Sequence, residues 1–125
     1  MKSRLLVVDD DTYIRRLLQI YLTNSGYEIH QAGTGEDAVR IFDETKFDVI
    51  FLDLILPAFG GFRLCQKFKS SDHPPYVIIM TGDDSPETRA SAKEYGANDF
   101  LAKPFTAADV SARLAAVKSA KQQRV

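Results

Sequence analysis

The chain has 125 residues, 45% of them hydrophobic and 26% charged, with a formal net charge of −1. That length suits one domain built on a single sizeable core. The near-neutral charge argues against a broad nucleic-acid surface, no run approaches the about 18 apolar residues of a membrane span, and a lone cysteine, Cys65, excludes an internal disulfide.

Met1-Lys2-Ser3-Arg4 leads straight into an apolar run rather than into a signal peptide, which makes a cytoplasmic setting the expectation. From there, short β-type runs alternate with stretches of helical periodicity, the pattern of a parallel α/β sheet. Leu5-Leu6-Val7-Val8 reads as the first strand. Ile14, Leu17, Leu18, Tyr21 and Leu22 then share one helical face, with Asp11 as N-cap and Gly26 as the stop. Tyr27 to Ala32 is more polar and fits an edge strand. Thr34-Gly35-Glu36-Asp37 opens a helix in the manner of a capping box, with Ala38, Val39, Ile41 and Phe42 facing the sheet.

The run from Asp48 to Leu52 is apolar enough for a strand covered on both faces. A third helix follows from Gly61 to Ser70, burying Phe62, Leu64, Cys65 and Phe68. Pro74-Pro75 breaks the chain before the strand Val77-Ile78-Ile79-Met80. Ser85-Pro86 supplies a cap and an N1 proline, and Gly96 a stop. After Phe100-Leu101-Ala102, Thr106 to Asp109 caps a last helix carrying Val110, Leu114 and Val117. The expectation is a five-stranded parallel sheet with helices on both faces, a (βα)5 domain over residues 1–121, and a polar tail at 122–125.

Four of the apolar runs end in residues suited to phosphoryl chemistry: Asp9-Asp10, Asp53, Thr81 and Lys103. In a parallel sheet these ends emerge together at the carboxyl edge, where open α/β folds place their ligands. Three carboxylates, a hydroxyl and an ammonium in one pocket suit a phosphoryl group and a divalent cation. Asp53 ends a wholly apolar strand, where an unpartnered carboxylate is costly. A P-loop is excluded, because no Gly-x-x-x-x-Gly-Lys segment is present. No Cys/His spacing supports zinc.

Val-Val-Asp-Asp at 7–10, Leu-Asp-Leu-Ile-Leu-Pro at 52–57, Met-Thr-Gly at 80–82 and Lys-Pro-Phe at 103–105 together resemble the receiver domain of two-component response regulators. The resemblance implies a flavodoxin-like fold with strand order 2-1-3-4-5. It implies Asp53 as phosphoacceptor, with the phosphoryl group coming from a histidine kinase or a histidine phosphotransfer protein. It also implies Mg²⁺, with Mn²⁺ as a substitute, on Asp10, Asp53 and the Ile55 main-chain carbonyl, and on Asp9 through water. Lys103 would neutralise a phosphoryl oxygen, and Thr81 and Phe100 would move as a switch. Pro104 would follow a cis peptide bond. Such a domain is a signalling switch rather than a turnover enzyme.

Departures from the family pattern are Gly82 after the switch threonine, Gly60 before Gly61, and a Phe100 that has no hydroxyl. Ile55 and Asp83 stand where the family tunes hydrolysis of the acyl phosphate, and apolar Ile55 implies slow self-dephosphorylation. Partial similarity around 97–105, with Asp109 and Arg113, implies a phosphorylation-enhanced homodimer through the fourth helix, fifth strand and fifth helix. Direct nucleic-acid or membrane binding is not expected. Two alternatives stand beside this reading. A haloacid-dehalogenase-type phosphatase would use Asp9-x-Asp11, but Tyr13 departs from its motif and no cap domain fits this length. A phosphorylation-independent adaptor would leave the crowd of like charges without a purpose.

Overall fold

A computed structural model describes residues 2–123. Five strands alternate with five helices: β1 (Arg4–Val8), α1 (Thr12–Leu22), β2 (Glu28–Ala32), α2 (Gly35–Glu44), β3 (Val49–Asp53), α3 (Gly61–Lys69), β4 (Tyr76–Thr81), α4 (Pro86–Glu94), β5 (Asp99–Ala102) and α5 (Ala107–Gln123). The strands are all parallel, in the order β2-β1-β3-β4-β5. This is the order that the resemblance implied. The last helix runs through Lys118 to Gln123, so the polar tail begins inside α5, and residues 124–125 lie outside the described residues.

Alternation along each strand divides the core into two layers. Leu6, Val8, Ile50, Leu52, Val77, Ile79 and Phe100 face one side and pack with Ala38, Leu64, Cys65, Phe68 and Ala92 of α2, α3 and α4. Leu5, Val7, Phe51, Ile78, Met80 and Leu101 face the other and pack with Leu18, Leu22, Val110 and Val117 of α1 and α5. Because β3 is covered on both faces, all five of its residues are buried, Asp53 among them.

The helix starts follow the local signals. Asp11 accepts the Tyr13 N–H at 2.9 Å, Thr34 accepts the Asp37 N–H at 3.0 Å, and Ser85 accepts the Thr88 N–H at 3.2 Å. Each such cap contributes about 1 kcal/mol. Thr106 and Asp109 cap α5 reciprocally, each side chain accepting the other's N–H, at 3.2 and 2.9 Å. One stop lies elsewhere than expected. The first helix ends at Leu22 with Thr23 as its C-cap, and Gly26, at φ 88°, instead turns the chain into β2.

Candidate functional site

Register decides which side chains meet. Leu52 of β3 pairs with Val8 of β1, and Asp53 pairs with Met80 of β4, so Asp9, Asp53 and Thr81 stand beside one another at the carboxyl ends of three adjacent strands. From the loop after β5, Lys103 donates its main-chain N–H to the Thr81 carbonyl at 2.8 Å, which ties that loop to the end of β4. The bond from Lys103 to Pro104 is cis.

Carboxylate oxygens of Asp9, Asp10 and Asp53 lie within 4.8 Å of one another. Asp9 and Asp53 are buried, whereas Asp10 is exposed. The Lys103 ammonium bridges the buried pair, at 2.8 Å from Asp9 Oδ2 and 3.4 Å from Asp53 Oδ1. One cation between two buried carboxylates leaves negative charge uncompensated. Burial, and then the Asp9 charge, raise the Asp53 carboxyl from 3.8 to about 6, against the pull of Lys103 and of the Ile55 N–H. Burial works to lower the Lys103 ammonium, but its bonds to Asp9 and the charges of both aspartates outweigh that and hold it above its ordinary value.

An all-oxygen donor set with excess negative charge, open to solvent on the Asp10 side, suits a hard divalent cation that keeps part of its water shell. It does not suit zinc, which prefers nitrogen and sulfur. The residues therefore fit Mg²⁺ or Mn²⁺.

The switch residues take definite positions. Thr81 is buried, and its hydroxyl accepts the Asp83 N–H at 3.1 Å. Phe100 is turned into the core beneath α4, and the Arg89 guanidinium lies 4.5 Å from its ring centre. Arg89 is held in turn by Asp84. On the same face, Arg113 donates to the Phe100 carbonyl at 2.8 Å and sits 3.5 Å from Asp99. Ile55 is 74% exposed, and its N–H reaches Asp53 Oδ1 at 3.4 Å.

Residues 5–115 match the family model described as the response regulator receiver domain. This chain belongs to that family. Receiver domains of this kind are signalling switches in two-component systems. Among its relatives is the transcriptional regulatory protein SrrA of Staphylococcus aureus, 35% identical over 117 residues, which amount to 94% of this chain and 48% of that protein. The receiver thus spans about half the length of the curated relatives it matches. Its fold is shared with chemotaxis protein CheY4 of Vibrio cholerae, at TM-score 0.87 and 28% identity over 94% of this chain and 99% of that one. A BeF3-activated DrrB receiver domain superposes at TM-score 0.86, with 31% identity over 95% of this chain and 99% of that one.

Two features of the site escaped the sequence. Arg15 of α1 donates to the Asp9 carbonyl at 2.7 Å. A Cβ at Gly61 would lie 2.6 Å from the Asp53 carbonyl oxygen and from Leu54 backbone atoms. The glycine therefore lets α3 start against the acceptor strand. Its place directly after Gly60 was the available signal. Among the described residues, no helix is long and apolar enough to cross a membrane.

Proposed function

We propose that this receiver is a Mg²⁺-dependent phosphoryl acceptor that takes the group on Asp53 from a phosphohistidine of a kinase or phosphotransfer protein. The observation that carries the proposal is the bridged cluster: two buried carboxylates sharing one lysine, with a third carboxylate at the solvent side. Asp10, Asp53 and the Ile55 main-chain carbonyl would hold the cation, with Asp9 acting through water. When bound, the metal supplies charge neutralisation for the carboxylates and for the incoming phosphoryl oxygens.

The residues do the rest. An Asp53 oxygen attacks phosphorus in line, the P–N bond to the donor imidazole breaks, and an acyl phosphate forms. The phosphoryl dianion brings new negative charge beside Lys103, which can shift from its aspartates to a phosphoryl oxygen. The Thr81 hydroxyl leaves its Asp83 partner for the same group. Thr81 leads directly into the loop that holds Asp83 and Asp84, so its movement reaches Arg89 and Phe100. The α4-β5-α5 face is the surface expected to change and to support a homodimer. The setting is cytoplasmic, and the domain makes no direct nucleic-acid contact of its own.

Intact mass after incubation with Mg²⁺ and acetyl phosphate or phosphoramidate tests this. One added phosphoryl group, absent with chelator and in Asp53→Asn, is the expected result. No adduct, together with no binding of beryllofluoride, would transfer the chain to the phosphorylation-independent adaptors.

A further inference from the structure

Asp9 is held at each of its polar groups. Its N–H donates to the Ala32 carbonyl at 3.2 Å, Oδ1 accepts the Asp11 N–H at 3.0 Å, and Oδ2 accepts from Lys103 at 2.8 Å. Its main-chain carbonyl accepts from Arg15 Nη1 at 2.7 Å. The same guanidinium places Nη2 3.3 Å from the Thr12 hydroxyl, at the start of α1. A third element closes in from the loop after β2: a Cβ on Gly33 would lie 3.1 Å from Nη1 and 3.4 Å from Cζ of Arg15. The half-buried guanidinium thus fills a slot between a strand end, a helix start and a glycine.

Asp10 follows directly. Its carboxylate is exposed, and among the described residues no side-chain hydrogen bond holds it. The Cα–Cβ direction of Asp10 is set by its backbone, and the peptide that joins it to Asp9 is held at the Asp9 carbonyl by Arg15.

We infer that Arg15 is a positioning residue of the cation site: by holding the Asp9 carbonyl it fixes the Asp9–Asp10 peptide and so aims the Asp10 carboxylate at the metal. This rests on the reading of the cluster as a Mg²⁺ site. Groups that orient a ligand from behind commonly change metal affinity about 10-fold or more when removed. Simple electrostatics predicts the opposite sign. Removing a cation from the neighbourhood of the cluster tightens binding of a divalent ion, whereas loosening a ligand weakens it.

The experiment is calorimetric titration of the full chain with MgCl2 alone, paired with thermal unfolding in EDTA, for the wild type, Arg15→Gln, Arg15→Lys, Gly33→Ala and Arg16→Gln. Arg15→Gln is expected to weaken Mg²⁺ binding about 10-fold, with Arg15→Lys intermediate because it keeps one donor. Gly33→Ala is expected to weaken it in the same direction and by less, since the new methyl obliges the guanidinium to shift by a few tenths of an ångström and leaves the charge in place. Arg16→Gln, which removes an exposed charge from the same helix, is expected to bind as tightly as the wild type or more tightly. A purely structural Arg15 would lower the melting temperature in EDTA and leave the Mg²⁺ affinity of the folded protein unchanged, which would overturn the inference. So would an Arg15→Gln that binds Mg²⁺ more tightly. Should Arg15→Gln fail to fold, Arg15→Lys, which keeps the charge and loses the two-pronged contact to the Asp9 carbonyl and Thr12, decides in the same way. A wild type that binds no Mg²⁺ would overturn the metal site itself, which is a separate result from a wild type that binds it and an Arg15 that has no influence.

Discussion

Replacing Asp53 by Asn should stabilise the metal-free domain above pH 6 and have little effect near pH 4. Burial and the Asp9 charge raise the Asp53 carboxyl from 3.8 to about 6. The folded state therefore binds this proton more tightly than the unfolded chain does. Stability is fully present below pH 4, and it is lost as pH rises from the unfolded value through the folded one. A displacement of that size corresponds to about 3 kcal/mol at neutral pH. Asn keeps the volume and can still accept the Ile55 N–H, so the substitution removes the charge with little other change. For a domain of this length, the gain is roughly a 10 °C rise in melting temperature. The assay is urea or thermal unfolding of both proteins in EDTA from pH 4 to 8, repeated with Mg²⁺ at neutral pH. The difference should open between pH 4 and about 6 and close with Mg²⁺, which stabilises only the wild type. A difference that is constant across pH, or of opposite sign, would refute the account of a strained acceptor.

Lys103→Met removes the cation that bridges two buried carboxylates and should cost roughly 3 kcal/mol at pH 7 without metal, as read by urea unfolding; unchanged stability would mean that the bridge carries no net energy. Gly61→Ala should cost about 3 kcal/mol by the same assay, because the new Cβ would meet backbone rather than a movable side chain. The acyl phosphate is expected to persist for minutes, since apolar Ile55 cannot orient a water, and loss within seconds in a timed mass measurement would contradict this. Phosphorylation or beryllofluoride should raise the sedimentation coefficient through the α4-β5-α5 face, and an unchanged coefficient would remove the dimer.

The sequence by itself determined the elements and the chemistry at their ends. Apolar runs and helical periodicity arise from local geometry, so the strands ending at Asp9, Asp53, Thr81 and Lys103 could be read directly, as could the caps at Asp11, Thr34 and Ser85. The strand order came from family resemblance, because parallel runs that are all apolar do not distinguish their neighbours. Tertiary structure alone decided which polar ends pair. Lys103 and Asp9 are 94 positions apart, yet they lie in contact at 2.8 Å. Arg15 is another case, since it is packing that brings Gly33 and the Asp9 carbonyl to it. Phe100, expected as a switch residue from the resemblance, is turned inward beneath α4 with Arg89 over its ring. The physical reason is range: hydrophobic period and capping act over a few residues, whereas the pairing of buried charges depends on the strand register and on what the packed core leaves desolvated.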